Sequence, residues 1–172
     1  GENHNGELGD GTSESRPTPK VVEGLESGVL EVAAGDSHTC ALMNSGDVLC
    51  WGENTSGQLG DSTTIAHNAP VSVVGLPEGV QALSASFGNT CALLNNGDIY
   101  CWGANNEGQL GNGSYVLSSV PVRVEGLGGA ATSVSAGALA TCAVVNGAAR
   151  CWGGSAVGDL GTGKSGQSSG SP

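Results

Sequence analysis

Six cysteines are the residues whose type and spacing offer the clearest chemistry in this sequence of 172 residues. They fall into three sequential pairs, Cys40/Cys50, Cys91/Cys101 and Cys142/Cys151. Zinc-binding cysteines are usually roughly two to four residues apart and are joined by a second pair or by histidines. These pairs enclose eight or nine residues, which favours disulfides over a metal site and leaves reduced structural cysteines as the other alternative. Disulfides predict an oxidising compartment: extracellular, periplasmic or cell surface.

The cysteine pairs belong to a repeat that fills the chain. Cys40, Cys91 and Cys142 lie 51 residues apart, and so do Pro19, Pro70, Pro121 and Pro172. This period divides the chain into the end of a preceding copy (1–18), three copies (19–69, 70–120 and 121–171) and the first residue of another (172). Each copy carries signals for about four short strands, so we expect an all-β fold of repeated antiparallel sheets.

Turn chemistry gives each cysteine pair the same register. In the third copy, Asn146-Gly147 is a two-residue type I′ signal that sets Cys142 opposite Cys151. The first two copies have three-residue connections at 44–46 and 95–97, each ending in a glycine that suits a left-handed conformation. Both turn types put the cysteines in directly opposed positions, where each disulfide would add about 3 kcal/mol by chain entropy.

The composition excludes several classes of partner. The formal net charge is −11 and the pI is near 4.3, with five Lys and Arg against sixteen Asp and Glu. Nucleic acids and anionic membranes need basic patches, so neither is expected as a partner. No apolar run approaches the roughly 18 residues of a membrane-spanning helix, so membrane insertion is not expected.

Two segments of the repeat resemble a known family. They are Ala-Ala-Gly-Asp-Ser-His-Thr-Cys-Ala-Leu at 33–42 and Cys-Trp-Gly-Glu-Asn-Thr-Ser-Gly-Gln-Leu-Gly at 50–60. Together they resemble the repeat of the regulator of chromosome condensation family, and the pattern recurs at 102–111 and, more loosely, at 152–161. The resemblance covers essentially the whole chain. It implies a β-propeller fragment of about three four-stranded antiparallel blades, since family propellers typically have seven.

The family's functions are diverse, so the resemblance alone does not select one. It implies relatives that include a nuclear exchange factor for a small GTPase, ubiquitin ligases with accessory propellers, and secreted bacterial propellers that inhibit β-lactamases. Acidity and opposed cysteines favour a non-catalytic protein-binding scaffold that is secreted or on the cell surface. A regulatory guanine-nucleotide exchange factor-like protein acting on a small GTPase is the alternative. The missing blades of a parent chain, or self-association, are further expected partners.

Positions that repeat are interpreted as scaffold, and positions that do not repeat as candidate partner contacts. The predicted structural residues are Trp51, Trp102, Trp152, Gly57, Gly60, Gly108, Gly111, Gly158 and Gly161. The predicted partner-binding residues are Asp36, His38, Phe87, Asn89, Tyr115 and Leu139. No catalytic residue, metal ligand or cofactor is predicted.

Each functional alternative has a structural counterpart that we favour. His38 is interpreted as a hydrogen-bonding loop residue, because histidine does not recur at its position in the other copies. Asp10 and Asp61 offer a weak calcium hypothesis. Asn54 and Asn112 begin glycosylation sequons in form, but Asn54 belongs to the turn of the repeat, which favours a structural role.

Overall fold

The structure is a computed structural model that describes residues 1–156, 158–163 and 165–172. Regular secondary structure in these residues is entirely β. The strands are β1 Val29–Ala34, β2 His38–Met43, β3 Val48–Gly52, β4 His67–Ser72, β5 Val80–Ala85, β6 Asn89–Leu94, β7 Ile99–Gly103, β8 Ser118–Arg123, β9 Ala131–Ala136, β10 Ala140–Val145 and β11 Ala148–Gly153. No helix in the described chain is long and apolar enough to cross a membrane.

The strands form three antiparallel sheets, which confirms the predicted fold class. The first sheet has the order β1-β2-β3-β4 and the second β5-β6-β7-β8. The third contains β9, β10 and β11, and a single bridge from Gly153 to Ser169 stands where a fourth strand would pair. The position equivalent to the start of β4 is Ser169.

The fourth strand of each complete sheet crosses the division between sequence copies. Pro70 opens the second copy, yet it lies inside β4, which pairs with β3 of the first sheet. Pro121 lies in β8 in the same way. Both strands are sheet edges, where a residue without an N–H donor is tolerated.

The predicted hairpin register is confirmed in all three sheets. Cys40 lies opposite Cys50, Cys91 opposite Cys101 and Cys142 opposite Cys151, and each pair forms a disulfide with a Cα–Cα distance of 4.1 Å. Asn146 and Gly147 have φ values of 52° and 79°, as a type I′ turn requires. Two different turns therefore give one covalent arrangement.

The sheets stack face to face and bury two apolar layers. The layer between the first and second sheets contains Cys40, Leu42, Val48, Cys50, Leu59, Leu83, Ala92 and Trp102. The layer between the second and third sheets contains the equivalent residues of β6 and β7 together with Trp152. The first strands of the sheets, β1, β5 and β9, also contact one another in that order. This stacking fixes the ends of the strands, where the connecting loops emerge.

Candidate protein-binding face

The connections of the three sheets emerge at two ends of the stack. Because antiparallel strands alternate in direction, the turn after a sheet's first strand and the connection after its third strand share one end. We call this the loop end; it comprises residues 35–37, 53–66, 86–88, 104–117, 137–139 and the described part of 154–168. The opposite end comprises residues 44–47, 73–79, 95–98, 124–130 and 146–147.

One carbonyl oxygen at each boundary anchors a loop to the following sheet. The Gln58 oxygen accepts hydrogen bonds from Trp102 Nε1 and Thr90 Oγ1, both at 2.9 Å. The same arrangement recurs with the Glu7 oxygen for Trp51 and Thr39, and with the Gln109 oxygen for Trp152 and Thr141. All three tryptophans are buried and satisfy their indole N–H in this way. The structure thus places the repeated tryptophans at the joints between sheets.

The glycines of the repeat lie against these joints. A Cβ atom at Gly60 would stand 2.8 Å from Trp102 Nε1, and one at Gly111 would stand 2.5 Å from Trp152 Nε1. Gly57 and Gly108 approach the backbone of the next sheet's outer strand or bridge just as closely. Gly158 and Gly161 have positive φ values as well, but a Cβ there would meet no atom of the described residues within 4 Å. Packing against the next sheet therefore constrains Gly57, Gly60, Gly108 and Gly111.

A buried asparagine holds the long connections of the first copies in shape, as the structural interpretation of Asn54 predicts. Asn54 is fully buried; its Nδ2 donates to the oxygens of Thr63 and Ile65 at 3.2 and 3.0 Å, and its Oδ1 accepts from the Leu59 N–H at 3.0 Å. Asn3 and Asn105 make corresponding bonds, and the position is Ser155 in the last copy. The recurrence of asparagine at intervals of 51 residues agrees with this structural role. These bonds occupy the amide that glycosylation of Asn54 would need.

Two carboxylates stabilise the same connections by charge. The pKa of Asp10 is held at about 2, chiefly by the hydrogen bond from the Thr12 hydroxyl, with help from the positive charges of Arg16 and Lys20. Arg16 approaches the carboxylate at 2.5 Å and Lys20 at 3.5 Å. The described residues contain no group of three side chains suited to a metal. Cations of the chain itself thus neutralise the carboxylate for which calcium was considered.

Asp61 occupies the equivalent place in the next connection. Its carboxylate contacts His67 Nε2 at 3.2 Å and accepts the Asn54 amide. Burial would raise the pKa of Asp61, but hydrogen bonds from Thr63 and Asn54 outweigh it and lower the pKa overall. In the following copy the place is taken by neutral Asn112, so this electrostatic contribution ends after the first complete connection.

Two of the six predicted partner-binding residues do not reach the surface. His38 is 1% exposed and Asn89 is fully buried, because they begin β2 and β6 and their side chains turn inward between sheets. His38 Nε2 donates to Thr90 Oγ1 at 2.8 Å, since the threonine proton is directed at the Gln58 oxygen. Burial lowers the pKa of His38 to about 4, so the ring is neutral near pH 7. Prediction of these two as partner contacts was wrong.

The other four predicted residues are exposed at the loop end. The exposed fractions are 63% for Phe87, 50% for Tyr115 and 46% for Leu139, and Asp36 is exposed as well. Asp36, Phe87 and Leu139 lie in the short turns at 35–37, 86–88 and 137–139, whereas Tyr115 lies in the connection 104–117. Ile65 and Val116, which the sequence did not single out, are exposed at the same end.

The short turns are held rigidly although their side chains are exposed. The N–H of Glu53 donates to the Ser37 oxygen at 2.7 Å, Ala104 to Gly88 at 2.8 Å, and Gly154 to Leu139 at 2.7 Å. Each turn is also closed by a backbone hydrogen bond from its first residue to the first residue of the following strand, such as the N–H of Ser86 to the Asn89 oxygen at 3.0 Å. Exposed apolar side chains on a fixed backbone lose little conformational entropy on binding, which is typical of contact residues in interfaces.

Stacked antiparallel sheets whose first strands contact one another, joined by loops that seat on the next sheet, define a β-propeller architecture. A model of the regulator of chromosome condensation (RCC1) repeat matches residues 1–42, 45–94 and 96–144, and a second RCC1 repeat model matches 29–58 and 80–109. The chain belongs to the RCC1 repeat family. Membership of this family supports a protein-binding or regulatory scaffold.

Curated relatives agree with this assignment. The chain is 35% identical over 134 residues to the ultraviolet-B receptor UVR8 of Arabidopsis thaliana, an alignment that covers 76% of this chain and 30% of the receptor. It is 34% identical over 152 residues to the probable E3 ubiquitin-protein ligase HERC6 of Homo sapiens, covering 85% of this chain and 15% of the ligase. The chain thus spans less than a third of either relative.

Solved structures show the same fold. Human WBSCR16 superposes with a TM-score of 0.83 at 21% identity, covering 99% of this chain and 44% of that protein. Prp20p of Saccharomyces cerevisiae, whose binding to Gsp1p and histones was described with its structure, superposes with a TM-score of 0.76 at 24% identity. That alignment covers 84% of this chain and 37% of Prp20p.

Proposed function

We propose that this chain is a non-catalytic protein-binding scaffold of an oxidising compartment, and that it contacts its partner through the loop end. The observation that carries the proposal is the exposure of Phe87 and Leu139 on turns whose backbone is fixed by hydrogen bonds to neighbouring loops. These side chains differ from copy to copy, whereas the joints beneath them are repeated. A repeated scaffold with variable exposed positions is the arrangement by which repeat proteins bind partners.

The three disulfides support the oxidising compartment and oppose the exchange-factor alternative. A nuclear or cytosolic regulator works where thiols are kept reduced, and a structural disulfide in each sheet would be unusual there. The free-thiol content of protein isolated from its native compartment separates the two roles. We expect none of the six cysteines to be alkylated before reduction, whereas alkylation of all six would favour the intracellular regulator.

The binding face can be tested with a random-peptide display library selected on the oxidised chain. Selected peptides should lose at least tenfold in affinity for the double variant Phe87→Ala/Leu139→Ala. Val74→Ala is a matched control, because Val74 is 48% exposed at the opposite end. Selected peptides that depend instead on Val74, or on the exposed Leu30 and Val32 of β1, would contradict the assignment of the loop end.

A further inference from the structure

The loop end pairs an exposed apolar side chain with a carboxylate at the boundary between the first two sheets. The N–H of Asp36 donates to the Ser86 oxygen at 3.3 Å, which brings the turn 35–37 of the first sheet against the turn 86–88 of the second. Ser86 directly precedes Phe87, so the backbone of the exposed Asp36 lies close to that of the exposed Phe87 across this boundary.

The boundary between the second and third sheets has a corresponding pair. A Cβ atom built on Gly154 would lie 3.1 Å from the Leu139 Cβ and 3.3 Å from the Glu107 Cβ, so these two side chains flank one point. Glu107 belongs to the connection 104–117 of the second sheet, and Leu139 to the turn 137–139 of the third. The carboxylate comes from the preceding sheet and the apolar group from the following sheet at both boundaries.

Neither carboxylate has a cationic partner in the part of the chain that the structure describes. Arg16 and Lys20 pair with Asp10, and Arg123 pairs with Asp98 at the opposite end. Among the described residues, Asp36 accepts a hydrogen bond from the Ser37 hydroxyl and Glu107 accepts one from the Ser168 hydroxyl. With a formal net charge of −11, the chain attracts cationic partners over distance, and these two carboxylates are available to bind them.

An apolar group beside a carboxylate matches the two parts of a long basic side chain. A guanidinium or ammonium group can lie over the face of Phe87 while it pairs with Asp36. At the second boundary the aliphatic part of such a side chain can pack on Leu139 while its charged end reaches Glu107. We propose, on the basis of the proposed function, that these are two subsites for arginine or lysine, and that the partner is an extended protein segment with two basic residues.

Fluorescence anisotropy with labelled peptides tests this proposal. The peptides carry two arginines separated by one to eight serine or glycine residues, and they are titrated with the oxidised chain at pH 7.5 and several salt concentrations. Affinity should peak at one separation, and replacing either arginine with serine should weaken binding. Asp36→Asn and Glu107→Gln should each weaken binding about two- to fivefold and reduce its salt dependence.

Glu78→Gln is the matched control, because it removes the same charge from an exposed position at the opposite end. The double variant Asp36→Lys/Glu107→Lys should prefer the corresponding diglutamate peptides, a reversal that loss of folding cannot produce. The proposal is overturned if Glu78→Gln weakens binding as much as Asp36→Asn, or if one arginine suffices for full affinity. Library peptides that require Phe87 and Leu139 but contain no basic residue would also overturn it, while leaving the proposed function intact.

Discussion

The second and third sheets share one repeat but differ in how much of it is buried. Both faces of the second sheet are covered: Ala92 and Trp102 are fully buried against the first sheet, and Ile99 and Leu93 are 0% and 1% exposed against the third. In the third sheet the positions of Leu93 and Ile99 are Val144 and Ala149, and both are exposed. At these two positions the third sheet therefore carries smaller side chains than the second.

The long connections also differ in how many of the stabilising residues of the repeat they contain. The connection 53–66 has a buried asparagine, an aspartate paired with histidine, and a glycine pressed against the next tryptophan. Ser155, Thr162 and Gly161 occupy those places in the last connection. The comparison indicates that the repeat motif is stabilised by the sheet it seats on as much as by its own turn chemistry.

Removal of the disulfides should give the largest difference between the two sheets. The loops closed by Cys91–Cys101 and Cys142–Cys151 span 10 and 9 residues, so the entropic contribution is about 3 kcal/mol for each. Only the first pair is fully buried, so Cys91→Ala/Cys101→Ala should cost about 1–2 kcal/mol more than Cys142→Ala/Cys151→Ala. Urea unfolding followed by tryptophan fluorescence measures both. Equal losses would show that the coverage of the second sheet does not matter.

Alanine at Gly60 and at Gly161 should separate packing from backbone strain. The two glycines have φ values of 70° and 66°, so alanine costs about 1–2 kcal/mol in left-handed strain at either place. At Gly60 the new methyl group would also collide with Trp102, and the total loss should reach about 3 kcal/mol. Thermal unfolding of the two variants gives the comparison. A loss at Gly161→Ala that matched Gly60→Ala would mean that the last connection is packed as tightly as the first.

The sequence predicted the hairpins well because their determinants are local. The cysteine spacing and the turn residues fix the register of β2 with β3, of β6 with β7 and of β10 with β11. The pairing of the fourth strand is not local. A period of 51 residues fits any starting point, so periodicity could not reveal that the strand containing Pro70 completes the preceding sheet.

The exposure of the candidate contact residues could be predicted only where the residues lie in turns or connections. Phe87 and Leu139 are exposed because the two-sided burial of the strands ends there. His38 was mistaken for a contact residue because it does not recur. Its position two residues before Cys40 in the same strand already places it on the face that packs between sheets. The joint is anchored by the backbone carbonyl of Gln58. Every residue has a backbone carbonyl, so the residue type at this position does not reveal that role.

Titration of His38 should distinguish the first boundary from the second, where Asn89 takes its place. Burial lowers the pKa of His38 from 6.5 to about 4, so the unfolded chain binds a proton more readily than the folded chain. The contribution of neutral His38 to the free energy of unfolding is therefore fully present above pH 6.5. It is lost as the pH falls towards 4, by at most about 3 kcal/mol. His38→Asn should abolish this dependence whatever its effect on stability at pH 7. Urea unfolding at intervals from pH 4 to 7.5 measures it, and an unchanged slope in the variant would contradict the assignment.

Replacing Asn54 with the serine found in the last copy tests whether the long connection depends on its buried amide. Serine cannot span the oxygens of Thr63 and Ile65 and the N–H of Leu59 at once, so at least one buried backbone group loses its partner. The expected loss is about 2 kcal/mol, because an unsatisfied buried polar group costs about 1–3 kcal/mol. Asn96→Ser, at an exposed hairpin turn, should change stability by less than about 0.5 kcal/mol. If Asn54→Ser changed stability as little as Asn96→Ser, serine would stabilise a long connection as well as asparagine does. The difference between the first and last connections would then come from charge and glycine packing alone.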